Sequence, residues 1–132
     1  MLQKIAYSIE EEAINVISWR LKEKLNIDIK LDRLIIFEKD REAIEINIYG
    51  VYNDLCIIGD STIDLRPGKI HELMSKVSEL KRRYPEYLRS RILKVIYCMR
   101  YIPQVIEESK RYNIWILTWN QELTPMIIEQ ST

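Results

Sequence analysis

The runs Glu45-Ile-Asn-Ile-Tyr49 and Cys56-Ile-Ile-Gly-Asp-Ser-Thr62, separated by a Tyr52-Asn-Asp-Leu55 turn, decide how this chain folds. Each is rich in isoleucine, and a two-residue Asn53-Asp54 loop between such runs marks a β-hairpin. That loop sets Tyr52 opposite Leu55, so that Asn47 falls opposite Asp60 and Glu45 opposite Thr62. Directly opposed residues share a face, and the four polar side chains are expected on one surface of the hairpin. The other face then carries Ile44, Ile46 and Ile48 opposite Ile63, Ser61 and Gly59, and is the expected core side.

Upstream, Ile5, Ile9, Ala13, Val16, Ile17, Leu21 and Leu25 recur at helical spacing. They predict an amphipathic helix over 4–25 that ends near Asn26 and carries Glu10, Glu11 and Glu12 on its polar face. Leu34-Ile-Ile-Phe37 is too short an apolar run for a helix and predicts a strand over 32–38, making an antiparallel meander with the hairpin strands at 43–51 and 55–63. After Arg66-Pro-Gly68, the stripe Ile70, Leu73, Met74, Val77 and Leu80 predicts a helix over 68–83. Tyr84 to Tyr87 reads as a loop, 91–99 as a buried strand, 103–112 as a helix opened by Pro103, and 113–118 as the last strand. A strand-helix-strand passage of this length favours a right-handed crossover and parallel pairing. The expected order is α-β-β-β-α-β-α-β, a mixed α/β sheet.

The 132 residues fit one domain, with a tail from about residue 119, and a composition of 47% hydrophobic and 30% charged residues excludes a disordered chain. The abundance of isoleucine with lysine, arginine and glutamate suits a hot-growing source. Net charge is zero, but residues 66–100 hold 10 basic and 3 acidic side chains, while residues 1–65 hold 8 basic and 13 acidic ones. A basic middle segment is suited to phosphates, with Lys69, Lys76, Arg82, Arg83 and Arg89 as the candidate nucleic-acid contacts. No stretch approaches a membrane span and Met1-Leu-Gln-Lys4 lacks a signal-peptide pattern, so a soluble, cytoplasmic protein is expected. Cys56 and Cys98 lie in apolar runs and are expected as buried free thiols; with one His71 they give no zinc spacing.

The α-β-β-β-α-β order, with polar groups meeting on the second and third strands, resembles the restriction-endonuclease-like PD-(D/E)XK superfamily, and in particular its archaeal members. The resemblance covers nearly the whole chain, from the first helix through the strand at 113–118. It implies a nuclease fold in which an aspartate on the second strand and an acid-x-lysine on the third bind magnesium and activate water. Here the aspartate position is Asn47, the acid position Asp60 and the lysine position Thr62. An asparagine amide is a weaker ligand for a hard cation than a carboxylate, and threonine offers no ammonium. Glu45, two residues and about 6.8 Å along the strand, is the remaining candidate to join Asp60 as a metal ligand. Glu11 or Glu12 of the first helix is the further candidate for a third ligand, and Lys69 or Lys76 for the lysine. The resemblance therefore implies a degenerate nuclease without a cofactor, to which the basic 66–100 segment adds DNA as the expected partner; the alternative is an active magnesium enzyme with a migrated site.

Other chemistry is thinner. His71 has no serine or cysteine at catalytic spacing, and Gly50 and Gly59 belong to strands and form no phosphate loop. Tyr49, Tyr52, Tyr84, Tyr87, Tyr97 and Tyr101 would either stack nucleobases or anchor loops by packing. A third reading is a homodimeric interaction module, suggested by Trp115, Trp119 and Met126-Ile-Ile128, a tail segment expected to dock either on the body of the chain or on a partner.

Overall fold

The computed structural model of the protein describes the backbone of residues 2–131 and the side chains of residues 9–131. A long helix, α1 (Leu2–Leu25), is followed by β1 (Asp32–Ile36), β2 (Ile44–Tyr52), β3 (Leu55–Leu65), α2 (Pro67–Arg83), β4 (Arg91–Tyr101), α3 (Gln104–Arg111), β5 (Ile114–Leu117) and β6 (Ile128–Gln130). The fold is a mixed α/β one: the strands form one six-stranded sheet in the order β1-β2-β3-β4-β5, with β6 also on β4. The β1–β2 and β2–β3 pairs are antiparallel, and β3–β4 and β4–β5 are parallel. No described helix is long and apolar enough to cross a membrane.

Local chemistry explains the breaks. The Asn26 that ends α1 has φ 54, its N–H bonding the Lys22 carbonyl 3.0 Å away, a left-handed helix stop that asparagine tolerates. Asn53 in the hairpin turn and Asn113 before β5 take the same conformation. Pro67 opens α2, where its missing N–H leaves no bond unmade. The hairpin pairs Tyr52 with Leu55 and runs to Ile48 opposite Gly59, the register that the two-residue loop dictates.

Both faces of the sheet are buried, which corrects the expectation of one core face and one polar face. Ile9, Ala13, Ile17 and Leu21 of α1 cover one side, over Ile48, Ile57, Leu93, Val95 and Trp115. Ile70, Leu73, Val77 and Leu80 of α2, with Val105 of α3, cover the other, over Ile58, Ile92, Ile96 and Ile116. Each fully buried isoleucine or leucine contributes about 1.5–3 kcal/mol. Double coverage also accounts for β4, buried from Ile92 to Cys98 without alternation. The packing of Ile5 lies outside the described side chains.

Two further corrections concern β2 and the tail. Between Asp32↔Tyr49 and Leu34↔Ile46 the pairing advances two residues on β1 and three on β2. This extra residue throws Ile44 and Ile46 onto the α2 side while Ile48 stays on the α1 side, so the three isoleucines do not share a face. The tail forms β6, pairing antiparallel with Arg91–Leu93, and Met126 and Ile128 pack beneath α1. Of the two expectations for this segment, docking on the body or on a partner, Met126 and Ile128 take the first, and Trp115 is fully buried.

Gly59 lies beside Val95 in the parallel ladder, where an added Cβ would stand 2.5 Å from the Val95 carbonyl oxygen. Gly68 has nothing within 4 Å of the same position. Urea denaturation should show Gly59→Ala losing roughly 1–3 kcal/mol, against no loss for Gly68→Ala; equal midpoints for the two variants would contradict the close approach of β3 and β4.

Candidate functional site

The β2–β3 ladder stops at Ile48↔Gly59, whereas β3 continues along β4 as far as Leu65↔Tyr101. The two hairpin strands therefore part just at Asn47 and Asp60. The Asn47 amide still reaches across, its Nδ2 donating to Asp60 Oδ1 over 2.6 Å. The same carboxylate oxygen accepts the Ser61 N–H at 2.8 Å. Lys69, in the first turn of α2, places its Nζ 3.2 Å from Asp60 Oδ2. Asp60 is only 2% exposed, and its charge is met where it sits by an ammonium and two N–H donors.

Lys69 is also 3.5 Å from Glu72, and Lys76 lies 3.4 Å from the same glutamate. Burial pulls the Lys69 ammonium toward deprotonation, but the Asp60 charge and hydrogen bond, with Glu72 behind them, outweigh it and raise its pKa. Lys69 thus stays charged, as a fixed counter-ion to Asp60.

The remaining predicted site residues scatter. Glu45 pairs across the strands with Ile35, and its carboxylate meets Arg33 at 3.0 Å, the guanidinium that also holds Glu10 of α1. Lying between Ile44 and Ile46, it points to the α1 side, away from Lys69. The extra residue in β2 is what separates Glu45 from Asp60, and the predicted sharing of one face is corrected accordingly. Thr62 turns its hydroxyl to the Asp64 carbonyl at 3.4 Å. Glu12 accepts the Tyr97 hydroxyl, and Glu11 lines a hollow with Glu10, Arg33 and Asn47.

A magnesium site needs several hard oxygen ligands, and these residues do not fit one. Asp60 supplies one carboxylate, Asn47 presents its N–H rather than its oxygen, and an ammonium stands where a cation would stand. Among the described residues no three His, Cys, Asp or Glu side chains gather as metal ligands.

The predicted phosphate-binding cations are largely engaged. Arg82 and Arg83 share Glu79, Arg83 also bonds Glu38, and Arg89 donates to the carbonyls of Glu86 and Leu88 at 3.1 and 2.9 Å. Lys94 is buried against Glu129 of β6 at 2.8 Å. The tyrosines mostly anchor packing: Tyr49 donates to the Tyr87 carbonyl at 2.7 Å, with the Tyr87 ring edge-on to Tyr49 and Tyr84. His71 lies 3.4 Å from Glu108 on the surface between α2 and α3. Cys56 and Cys98 are buried and free. Of Lys69 and Lys76, the two lysines expected to stand in for the missing one, the start of α2 after Arg66-Pro67 brings Lys69 to Asp60, while Lys76 meets Glu72.

Residues 11–126 match the family model described as Domain of unknown function (DUF8196). The chain belongs to that family, whose span takes in most of α1, the splayed hairpin, Lys69 and the segment leading to β6. No curated protein and no solved structure matches the chain.

Removing one member of the Asp60–Lys69 pair should leave the other without its partner. Lys69→Met is expected to lower unfolding free energy by roughly 2–4 kcal/mol, less than for a wholly buried pair because the lysine keeps some exposure. Combined with Asp60→Asn the losses should fall short of additive by at least about 1 kcal/mol. Glu45→Gln, in an exposed pair, should lose no more than about 1 kcal/mol. Strict additivity in this cycle would dismiss the pairing.

Alkaline pH offers a separate check. Burial, and then the nearby Asp64 charge, push the Cys98 thiol from 9.0 up to about 11. Burial with the Glu12 hydrogen bond raises the Tyr97 phenol as well. These groups, like Lys69, hold their protons more tightly folded than unfolded, so their stabilisation is intact below the unfolded-chain values and declines as pH rises through the folded ones. Unfolding free energy should fall between about pH 9 and 11, and Tyr97→Phe should flatten the decline above about pH 10; an unchanged slope in that variant would refute the phenol's part in it.

Proposed function

We propose that the chain is a nuclease-fold protein that has lost metal-dependent cleavage and binds nucleic acid through residues 66–100. The observation that carries this reading is the Lys69 ammonium 3.2 Å from Asp60, an internal cation that compensates a lone acid where a catalytic relative would hold magnesium. The divergence of β2 from β3 at Asn47 and Asp60 supports the likeness of the site. The excess of arginine and lysine over 66–100 supports the ligand. Lys81 and Arg82 at the end of α2, with Arg66 and Arg100 at the other end of the sheet, keep open side chains.

Binding to labelled duplex, branched and single-stranded DNA over a salt series tests this. Affinity should fall steeply as salt rises, and Lys81→Ala should reduce the log–log slope by about one. No binding to any of the three at low salt rejects the proposal.

The alternative, an active enzyme with a migrated site, has Lys69 at Asp60 for its lysine but lacks its second carboxylate, since Glu45 is held by Arg33. Incubation of DNA with magnesium or manganese separates the two. The first reading expects no cleavage beyond background, whereas cutting abolished by both Asp60→Ala and Lys69→Met would establish the second.

A further inference from the structure

The outer strands of a sheet carry backbone N–H and C=O groups without ladder partners, and an edge that is not covered is a template for another strand. This chain covers the β5 edge itself. The Leu123 N–H bonds the Ile116 carbonyl at 2.8 Å, while the Thr124 hydroxyl accepts the Ile116 N–H at 2.7 Å and donates to the Ile114 carbonyl at 2.6 Å. The stretch of β4 that β5 does not reach, Arg91–Leu93, is paired by β6. At the opposite end of the sheet, β1 pairs with β2 alone. The extra residue of that pair lies in β2, so the outer row of β1 stays regular, and neither proline nor lysine interrupts Asp32–Phe37.

Apolar surface accompanies the open backbone. Leu34 and Ile36 lie on the α2 side, Glu38 meets Arg83 of α2, and Arg33 meets Glu10 of α1. Arg33, Ile35 and Phe37 therefore share the α1 side of the edge, where Ile35 is 42% and Phe37 82% exposed. Glu10 at 2.7 Å and Glu45 at 3.0 Å pin the Arg33 guanidinium there. Carboxylates engage a guanidinium in its plane, which leaves its flat face for an aromatic ring. The strand that fits this edge carries an aromatic residue opposite Arg33 and aliphatic ones beside it.

We propose that the occupant is β1 of a second copy, paired antiparallel about a two-fold axis at Ile35 so that two sheets become one. In such an isologous contact the strand meets its own sequence reversed. Ile35 then faces Ile35, Leu34 faces Ile36, and each Arg33 faces the open Phe37 ring of the second copy, directly opposed residues sharing a face. Outside the strand Lys30 falls opposite Asp40, both exposed, and Glu38, which falls opposite Asp32, keeps its carboxylate on Arg83. Neighbouring registers match less well. An axis at Leu34 sets Phe37 opposite the buried Leu31, and one at Ile36 sets Arg33 opposite Lys39 and Asp32 opposite Asp40.

Light scattering and sedimentation velocity over a concentration series test the pairing. The chain should be dimeric at concentrations on the order of 100 µM, where small interfaces are populated. Ile35→Lys brings two ammoniums together at the axis and should weaken the dimer by about 100-fold or more. Phe37→Ala, which removes two ring–guanidinium contacts, should weaken it by about 5- to 30-fold. Circular dichroism and urea midpoints establish that each variant is folded, and the highly exposed Phe37 keeps the test decisive if Ile35→Lys is not. Under mild oxidation Ile35→Cys should form an intermolecular disulfide, whereas Phe37→Cys, about 13 Å along the strand from its counterpart, should not; the natural thiols Cys56 and Cys98 are buried. A monomer at every concentration, a dimer indifferent to both Ile35→Lys and Phe37→Ala, or a Phe37→Cys cross-link forming as readily as that of Ile35→Cys overturns the proposal. None of these readouts involves DNA, so the pairing stands or falls apart from the nucleic-acid reading.

Discussion

A carboxylate buried as deeply as Asp60 must be compensated on the spot, because an isolated charge out of water is far more expensive than any single packing contact. The protein supplies the compensation from three elements. Asn47 reaches from β2, the Ser61 N–H comes from β3 itself, and Lys69 comes from the first turn of α2. Because these partners lie on separate elements, the arrangement ties the place where α2 begins to the place where the hairpin strands part. It also ties the chemistry to the fold, since an aspartate already serving an ammonium and two N–H donors has little left to offer a divalent ion.

The sheet carries this arrangement because it is covered on both sides. With α1 on one face and α2 and α3 on the other, β3 runs buried from Leu55 to Asp60 and β4 from Ile92 to Cys98, and relief comes toward their carboxyl ends. At the carboxyl ends, β3 loses β2 and β4 outlasts β5, and backbone and side chains are released toward solvent there. Asp60 marks the inner limit of that region, and Met99 and Tyr101 lie exposed at its outer end.

Much of this was readable in the sequence. The Asn53-Asp54 turn dictates the hairpin register, the apolar stripes on α1 and α2 follow from helical spacing, and Asn47 does meet Asp60. Other features follow from tertiary context. The extra residue in β2 is set by pairing with β1, which a local pattern of alternating isoleucines does not reveal, and it carries Glu45 to Arg33 on the opposite face. Ile128 and Glu129 form a strand because β4 offers an edge and Lys94 a buried charge; three residues are too few to announce a strand by themselves. The basic segment was visible as composition, but its neutralisation by Glu38, Glu72 and Glu79 depends on helix geometry and on contacts distant in sequence.

The central claim is that Lys69, and not a metal ion, neutralises the buried Asp60. Manganese titration followed by electron paramagnetic resonance tests it directly, comparing the natural chain with Asp60→Asn. The account predicts only weak manganese uptake that is the same in both proteins. Saturable binding in the natural chain that disappears in Asp60→Asn would contradict it.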